Sequence, residues 1–227
     1  MSDTAQLRDR RTSVDVVFDH LYQEISDLRL RPGDKISEAE IAAQFNVSRQ
    51  PVRDAFSRLD NLDLLLIRPQ RATEVKRFSW REITKSRFVR ASVEGEVLRR
   101  AAANCDAIGS SQLEASLIQQ AAIVEIGSYE KFGELDYQFH QTLCDIAGVS
   151  FAFEVIKQEK AKVDRLCMLG LSKENRMSVL LADHKEITAC VKANDGEGAV
   201  KAGMLHLSRL DDTITAISNA NADYFDP

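Results

Sequence analysis

The sequence predicts a mainly α-helical protein, with a small N-terminal unit of three helices and a β-hairpin followed by an all-α helical bundle. Prolines stand at positions 32, 51 and 69, and the next one is residue 227, the last of the chain. Along this proline-free stretch, apolar residues recur every three or four positions, which is the spacing of helices that bury one face. A length of 227 residues accommodates two domains of modest size.

The composition is typical of a soluble globular protein, with 44% hydrophobic and 29% charged residues. No apolar run approaches the roughly 18 residues that a membrane helix needs. The segment Met1–Thr12 lacks the apolar stretch of a secretory signal, and we expect it to be a flexible tail. These features predict a cytoplasmic protein with no membrane partner. The four cysteines form no CxxC pair, and we expect reduced, mostly buried thiols: Cys105, Cys144, Cys167 and Cys190.

The first two helices are predicted from apolar spacing and turn residues. One face of the first helix carries six apolar residues: Val14, Val17, Phe18, Leu21, Ile25 and Leu28. The turn residues Arg31–Asp34 end this segment. Ser37 stands three residues before Glu40, which is the capping-box arrangement, and a short second helix is expected to begin there.

A third helix and a hairpin follow. Ser48 is expected to cap the helix, and Pro51 fits its first turn, where the missing N–H costs little. Its buried face is predicted to consist of Val52, Ala55, Phe56 and Leu59. The apolar runs 64–67 and 73–75 flank a polar turn, which predicts a two-stranded hairpin.

Three helices and a hairpin within about 65 residues form the arrangement of a winged helix-turn-helix, and a generic small α+β domain is the alternative. The net charge is −5, yet residues 48–77 hold seven basic residues and four acidic ones. A local excess of this kind is what attraction to phosphates requires, because screening limits surface charges to about 10 Å. The third helix and the hairpin are therefore the expected place of contact with double-stranded DNA.

The stretches 30–38 and 47–55, LRPGDKISE and VSRQPVRDA, are similar nearly residue by residue to the DNA-binding signature of the GntR family of transcription regulators. The chain resembles the FadR-like branch of that family, whose C-terminal effector domain is called FCD. The resemblance covers about residues 14–77 and, on fewer positions, about 80–220. It implies a winged helix-turn-helix domain over 13–77, an all-helical effector domain over 78–222, and a homodimer bound to operator DNA.

The resemblance carries the family's DNA contacts over to the start of the recognition helix and to the wing: Ser48, Arg49, Gln50, Arg53 and Arg71. The first residues of such a helix enter the major groove, where arginine bonds guanine in a bidentate manner. A serine at the helix N-terminus suits a phosphate. For the helix residues, a solvated face is the alternative. The wing turn usually contains glycine, and Ala72 disfavours positive φ, so a reshaped turn is expected.

Three histidines of the predicted bundle suggest a metal site. Asp136 and His140 are four residues apart and would share one helix face, about 6 Å from each other. His184 and His206 lie in two later helices, and a single histidine among apolar residues is more often a core residue than a ligand. Resemblance to the metal-binding FCD subgroup implies that these four residues bind one divalent transition metal per subunit. The ligand set suits Zn, Ni, Co, Fe or Mn and does not choose among them.

The effector is expected to be a small organic acid. The resemblance places an arginine such as Arg90 near the effector cavity, where its guanidinium would hold a carboxylate. An exposed ion pair between Arg90 and Glu94 is the alternative for this residue. Cys144 follows His140 by one helical turn, and core packing is expected there rather than metal binding.

These observations predict a ligand-responsive transcription regulator and not an enzyme. A metal-dependent hydrolase is the alternative, because three histidines and a carboxylate with an open position could activate water. Against it, the sequence sets no general base beside the site, and the DNA-binding half would have no role. A helical interaction protein without a ligand is a third candidate. The sequence leaves open the effector, the operator, the metal and the direction of regulation.

Overall fold

The computed structural model describes residues 12–169 and 176–226, so the expected tail lies outside the described residues except for Thr12. The chain divides into two compact units, Met1–Phe78 with Asp223–Pro227, and Ser79–Ala222. Among the described helices, none combines the length and the apolar character needed to cross a membrane.

The N-terminal unit contains the three predicted helices: α1 Ser13–Ser26, α2 Glu38–Phe45 and α3 Arg49–Asn61. Thr12 and Asp15 form a capping box at the start of α1, because the Asp15 N–H donates to Thr12 Oγ1 and the Thr12 N–H to Asp15 Oδ2. The capping box predicted at Ser37 is absent. Ser37 precedes α2 in the extended conformation of the strand before it, with φ −113°, and its side chain makes no capping hydrogen bond.

A three-stranded antiparallel sheet completes this unit. Its strands are β1 Lys35–Ile36, β2 Leu65–Leu66 and β3 Thr73–Val75, in the order β1-β3-β2. The pairing of Leu65 with Val75 confirms the predicted hairpin. The sequence did not reveal β1, since two residues are too short for an alternating pattern.

The wing turn does not need a glycine at residue 72. Gln70 adopts the left-handed conformation, with φ 59°, and Ala72 is not among the described residues that have positive φ. The residue with positive φ in this turn is Gln70, two residues before Ala72, so Ala72 does not adopt the conformation that alanine disfavours.

Helices α1 and α3 form the core of the unit, where Val17 and Leu21 pack with the predicted buried face of α3. Helix α1 ends at Ser26, earlier than its apolar spacing suggested, and Leu28 lies in the following turn with φ 59°. The chain end also joins this unit. A short 3-10 helix, Ala222–Tyr224, leads to Phe225, whose ring packs against that of Phe78 at a tilt of 47°, with 5.5 Å between ring centroids.

The second unit is an all-helical bundle, as predicted. Its described helices are α4 Trp80–Asn104, α5 Ala107–Ile126, α6 Tyr129–Ile146, α7 Ala152–Leu169, α8 Arg176–Lys192 and α9 Gly196–Ala220. Helix α4 packs on both α7 and α9, and α8 packs on α9. Apolar residues such as Phe139, Leu143 and Ile187 fill the space between helices and surround the buried polar groups described next.

Candidate metal centre and DNA interface

Asp136, His140, His184 and His206 meet inside the bundle. Helix α6 contributes the first two from adjacent turns, and α8 and α9 contribute one histidine each. One potential ligand atom from each residue lies within 4.8 Å of all the others, and all four side chains are buried. The structure therefore brings together four residues that are up to 70 positions apart in sequence.

Three ring nitrogens of this cluster have no hydrogen-bond partner among the described residues. They are His140 Nε2, His184 Nε2 and His206 Nδ1, and all three are buried. Although His184 Nε2 lies 3.4 Å from Asp136 Oδ1, the contact lacks ordinary hydrogen-bond geometry. Buried polar atoms are rarely left unsatisfied, because each costs about 1–3 kcal/mol. A cation between the four side chains would satisfy all three nitrogens.

Neighbouring side chains orient two of the imidazoles. His184 Nδ1 donates to Gln120 Oε1 at 2.6 Å, while Gln120 Nε2 donates to Ser116. His140 Nδ1 donates to Glu94 Oε2 at 2.9 Å. With the proton on Nδ1, the Nε2 lone pair of each ring points away from its partner and is available to a metal.

Electrostatics favours the neutral form of two of the imidazoles and the charged form of the carboxylate. Burial lowers the pKa of His184, and burial together with the other two histidines lowers the pKa of His206 well below its usual value. Burial by itself would raise the pKa of Asp136, but Lys160 and His184 hold it well below the usual range. Neutral imidazoles and an ionised carboxylate are the protonation states that bind a divalent metal.

Lys160 is a cation that sequence reasoning missed at this site. Its Nζ lies 3.2 Å from Asp136 Oδ2 and 4.0 Å from the centroid of the Tyr137 ring. Lys160 belongs to α7, and no motif links it to Asp136. It pairs with one carboxylate oxygen and leaves the other oxygen facing His184.

Arg90 and Glu94 form an ion pair, but the pair is buried. Arg90 Nε donates to Glu94 Oε1 at 2.8 Å, and the two side chains are 10% and 5% exposed. The alternative of an exposed helix ion pair is therefore wrong. Burial by itself would raise the pKa of Glu94, yet Arg90 and His140 lower it to about 2. Glu94 accordingly remains a carboxylate that bridges Arg90 and His140.

Cys144 packs in the apolar core, as expected, and is not part of the ligand cluster. Burial raises the pKa of its thiol to about 12, so it stays protonated. Cys105 and Cys190 are partly exposed, which differs from the expectation of mostly buried thiols, and neither forms a disulfide. The side chain of Cys167 lies outside the described part of the chain.

The predicted DNA-contacting residues lie at the exposed start of α3 and in the wing turn. Ser48 occupies the N-cap position of α3, as expected. Its hydroxyl makes no capping hydrogen bond to the helix. Arg49, Gln50, Arg53 and Arg71 are all exposed. Gln50 Nε2 donates to Asp54 Oδ1 at 2.9 Å within the same helix.

Most basic residues of the segment 48–77 are engaged in ion pairs. Arg53 pairs with Glu38 of α2 at 2.8 Å, and the others with acidic partners are Arg58, Arg68, Lys76 and Arg77. Arg49 and Arg71 form no ion pair with any residue of 12–169 or 176–226. Within the segment 48–77, the basic residues without an acidic partner among the described residues therefore lie at the start of α3 and in the wing turn.

Comparison with known proteins places these features in a family. Residues 14–75 match the bacterial regulatory proteins of the gntR family, and residues 87–209 match the FCD domain. The HTH-type transcriptional repressor RspR of Escherichia coli K12 is 34% identical over 209 residues, which are 92% of each chain. The chain belongs to the GntR family. It is a DNA-binding transcription regulator with an FCD effector domain. The similar proteins are transcription regulators, so they do not support the alternative of a metal-dependent hydrolase.

Other similar proteins are consistent with this placement. The Bacillus subtilis regulator LutR is 27% identical, and the match covers 87% of this chain and 99% of LutR. E. coli McbR/YncC has a solved structure that superposes with a TM-score of 0.66 at 19% identity, covering 91% of this chain and 99% of the other. A putative GntR regulator from Rhodococcus sp. RHA1 superposes equally well, at 0.66 and 22% identity, covering 89% and 97%. These two structures support the fold.

Proposed function

We propose that this GntR regulator is a metal-containing homodimer whose contact with operator DNA is controlled by a small organic acid. The observation that carries the proposal is the convergence of Asp136, His140, His184 and His206, with three buried ring nitrogens that have no hydrogen-bond partner in the described part of the chain. The protein senses its effector in the helical unit and reads DNA with α3 and the wing.

The four residues fit one divalent transition metal per subunit. Three neutral imidazoles and one carboxylate suit Zn, Ni, Co, Fe or Mn, whereas calcium prefers shells made of oxygen alone. Gln120 and Glu94 hold two of the rings in the orientation that ligation needs. When bound, the metal supplies a positive charge that attracts an anionic effector to this part of the bundle.

Arg90 is the proposed effector-binding residue. It is buried beside the ligand cluster, and it is one of the residues that line a cavity between α4, α7 and α9. A guanidinium in such a place favours a carboxylate, because charge-assisted hydrogen bonds are roughly twice as strong as neutral ones. Arg90 belongs to α4, the helix that follows the covalent link between the two units.

Ser48, Arg49, Gln50, Arg53 and Arg71 are the proposed DNA contacts. Arg49 and Arg53 are exposed at the start of α3, where a recognition helix meets base edges. The ion pair with Glu38 fixes the Arg53 side chain before DNA binds, which reduces the entropy lost on binding. Arg71 is placed for a phosphate or a minor-groove contact from the wing.

A second copy of the chain is the proposed partner of α5. Ile108, Ile118 and Ile126 are each more than two-thirds exposed on this helix. Ala115 and Ala122 are exposed between them, so an apolar stripe runs along a helix about 30 Å long. Exposed apolar stripes of this size mark protein interfaces, and a homodimer would cover the same stripe on both copies.

The proposal is tested by binding to a DNA fragment that the protein itself selects from a random pool. Organic acids are screened by thermal shift with and without chelator, since a ligand of the folded state raises its apparent stability. We expect an acid that stabilises the metal-loaded protein to change its affinity for the selected DNA. If no acid alters DNA binding with the metal present, the sensing function is contradicted.

A further inference from the structure

The chain passes between the two units at two places, after Phe78 and before Asp223. Residues 223–226 follow α9 of the helical unit, yet they belong to the N-terminal unit. Two residues separate them from the end of α9 at Ala220. We call residues 223–226 the strap. The N-terminal unit is therefore joined to the helical unit by two covalent connections, the link at residues 78–79 and the strap.

Main-chain hydrogen bonds hold the strap beside Phe78. The Phe78 N–H donates to the Tyr224 carbonyl at 2.8 Å, and the Asp226 N–H donates to the Phe78 carbonyl at 2.8 Å. Phe78 and Phe225 are thus bridged in the parallel manner. Because buried backbone groups need hydrogen-bond partners, the strap is part of the folded N-terminal unit and not a loose extension of α9.

The side chains of the two bridged residues are buried together. Phe78 is 3% exposed and Phe225 is 6% exposed, whereas Phe151 at the start of α7 is 78% exposed. Burial is therefore a property of this place and not of phenylalanines in this protein generally. Buried aromatic rings are among the largest apolar contributions to stability, so the strap should detach only at a substantial cost in free energy.

Arg77 fastens the strap to the sheet of the DNA-binding unit. Its Nε donates to the Asp223 carbonyl at 3.1 Å, and its guanidinium also pairs with Glu74 of β3. The guanidinium lies against Gly33, where any side chain would collide with it. Gly33 belongs to the turn before β1 and has a φ of 93°. The strap is thus connected to β3, which forms the wing hairpin with β2.

Helix α9 joins the strap to the candidate metal site. His206 lies on this helix, fourteen residues before its end at Ala220. At 1.5 Å per residue, about 21 Å of continuous helix separates the ligand from the start of the connection to the strap. Rigid helices are among the structures that carry coupling between distant sites.

We infer that the strap couples α9 to the DNA-binding unit, so that occupancy of the metal site changes DNA affinity through α9 and the strap. This coupling rests on the proposed function for the role of His206, but the attachment of the strap does not depend on a metal. A displacement of α9 reaches Phe78 and β3 through the strap, in addition to any signal through α4. Because linkage is reciprocal, DNA binding should also alter α9.

The first test is amide hydrogen exchange of the full-length protein, with and without the DNA selected from a random pool. We expect DNA to slow exchange over residues 207–220 of wild-type α9 by at least about threefold. Phe225→Ala should abolish this slowing, since it removes a buried ring of the strap. Phe151→Ala is the matched control, because it removes an exposed ring. An α9 that does not respond to DNA in the wild type overturns the inference.

A second pair of variants tests the main-chain bond and needs no change in the core. Asp226→Pro removes the N–H that donates to Phe78, while Asp226→Ala keeps it. Proline at 226 favours an extended residue 225, which is the conformation of the bridge. If Phe225→Ala does not fold, this pair decides. Equal slowing of α9 exchange by DNA in Asp226→Pro and Asp226→Ala contradicts the coupling through the strap.

The last test uses zinc as the probe and compares DNA affinity of zinc-loaded and metal-free protein. Wild type should differ by at least about fivefold between the two forms, and Asp226→Pro by less than about twofold at unchanged zinc affinity. If zinc binds but alters DNA affinity equally in both proteins, or in neither, the metal proposal stands and this inference fails. If the protein takes up no metal, the metal proposal fails, and the exchange experiments alone support or overturn the strap.

Discussion

His184 is prepared for ligation by a neighbour that no sequence motif marks. Gln120 of α5 is fully buried and accepts from His184 Nδ1, which leaves Nε2 directed into the cluster. The sequence predicted His184 through resemblance, but it could not predict Gln120. An amide side chain in a helix has many possible partners, and only the packing of α5 against α8 selects this one.

Replacement of Gln120 tests this positioning role. We expect Gln120→Leu to weaken metal binding about 10–100-fold, the usual cost of removing a hydrogen-bond partner of a ligating histidine. Gln119→Leu is the control, since Gln119 is exposed on the same helix. Metal affinity is measured by competition with a chromophoric chelator. Equal affinities of the two variants would mean that Gln120 does not position His184.

Arginines of α3 differ in role according to their partners. Arg49 is exposed and unpaired within the described residues, whereas Arg58 pairs with Asp15 at 2.9 Å and covers the Phe18 ring at 4.1 Å. We expect Arg49→Ala to lose about 1–3 kcal/mol of discrimination between selected and random DNA. Arg58→Ala should instead lower the free energy of unfolding by about 1 kcal/mol or less, because the pair is half exposed.

Both variants are compared by gel shift and by chemical unfolding. Arg53→Ala should resemble Arg49→Ala in DNA binding, since both side chains project from the exposed start of α3. Unchanged discrimination in the Arg49 and Arg53 variants would show that this face of α3 does not read bases.

At the scale of elements, the sequence predicted which segments are helical more accurately than it predicted where the helices begin and end. The α3 helix could be predicted because Ser48, Pro51 and the apolar spacing of its buried face agree. The strand β1 and the end of α1 could not, because tertiary pairing with β3 determines the first and a turn through Leu28 determines the second. The capping box was predicted at Ser37, which directly follows β1 and makes no side-chain capping bond, and a capping box is found at Thr12 instead.

The wing should contribute to DNA binding through its positive charge more than through recognition of particular bases. Arg71 is exposed in the turn between β2 and β3 and has no ion pair with a described residue. We expect DNA affinity to fall steeply as salt rises, and Arg71→Ala to reduce the slope of log affinity against log salt by about one. The measurement is a fluorescence anisotropy titration at several salt concentrations. A flat dependence in the wild type would exclude the basic segment 48–77 as the DNA footprint.

Helix α5 should decide the oligomeric state. We expect Ile118→Asp to convert a dimer into monomers, because a charge would be buried in the proposed interface. Val179→Asp is the control, since Val179 is a partly exposed apolar residue of α8. Light scattering after size exclusion measures the mass. A wild-type monomer, or an Ile118→Asp dimer of unchanged stability, would contradict the assignment of this surface.

At the scale of the whole molecule, we assign DNA binding to the N-terminal unit and metal and effector binding to the helical unit. The N-terminal unit has its own apolar core around Val17 and Phe56, so DNA binding does not need the metal for local folding. Among its described residues, the helical unit instead buries ten that are polar or charged: Ser86, Arg90, Glu94, Gln120, Asp136, His140, Asp183, His184, Thr188 and His206. Without a metal, several of these groups lack full hydrogen bonding, and the bundle should loosen.

The metal content of protein purified without chelator tests the central claim most directly. We predict one divalent transition metal per subunit by elemental analysis of the wild type and of His20→Ala, whose histidine lies in α1 outside the site. His184→Ala and His206→Ala should each lose the metal, melt at lower temperature and no longer respond to effector, while DNA binding survives at least partly. If the wild type contains no metal, takes up none, and the two variants still respond to effector, these are core histidines and the account is contradicted.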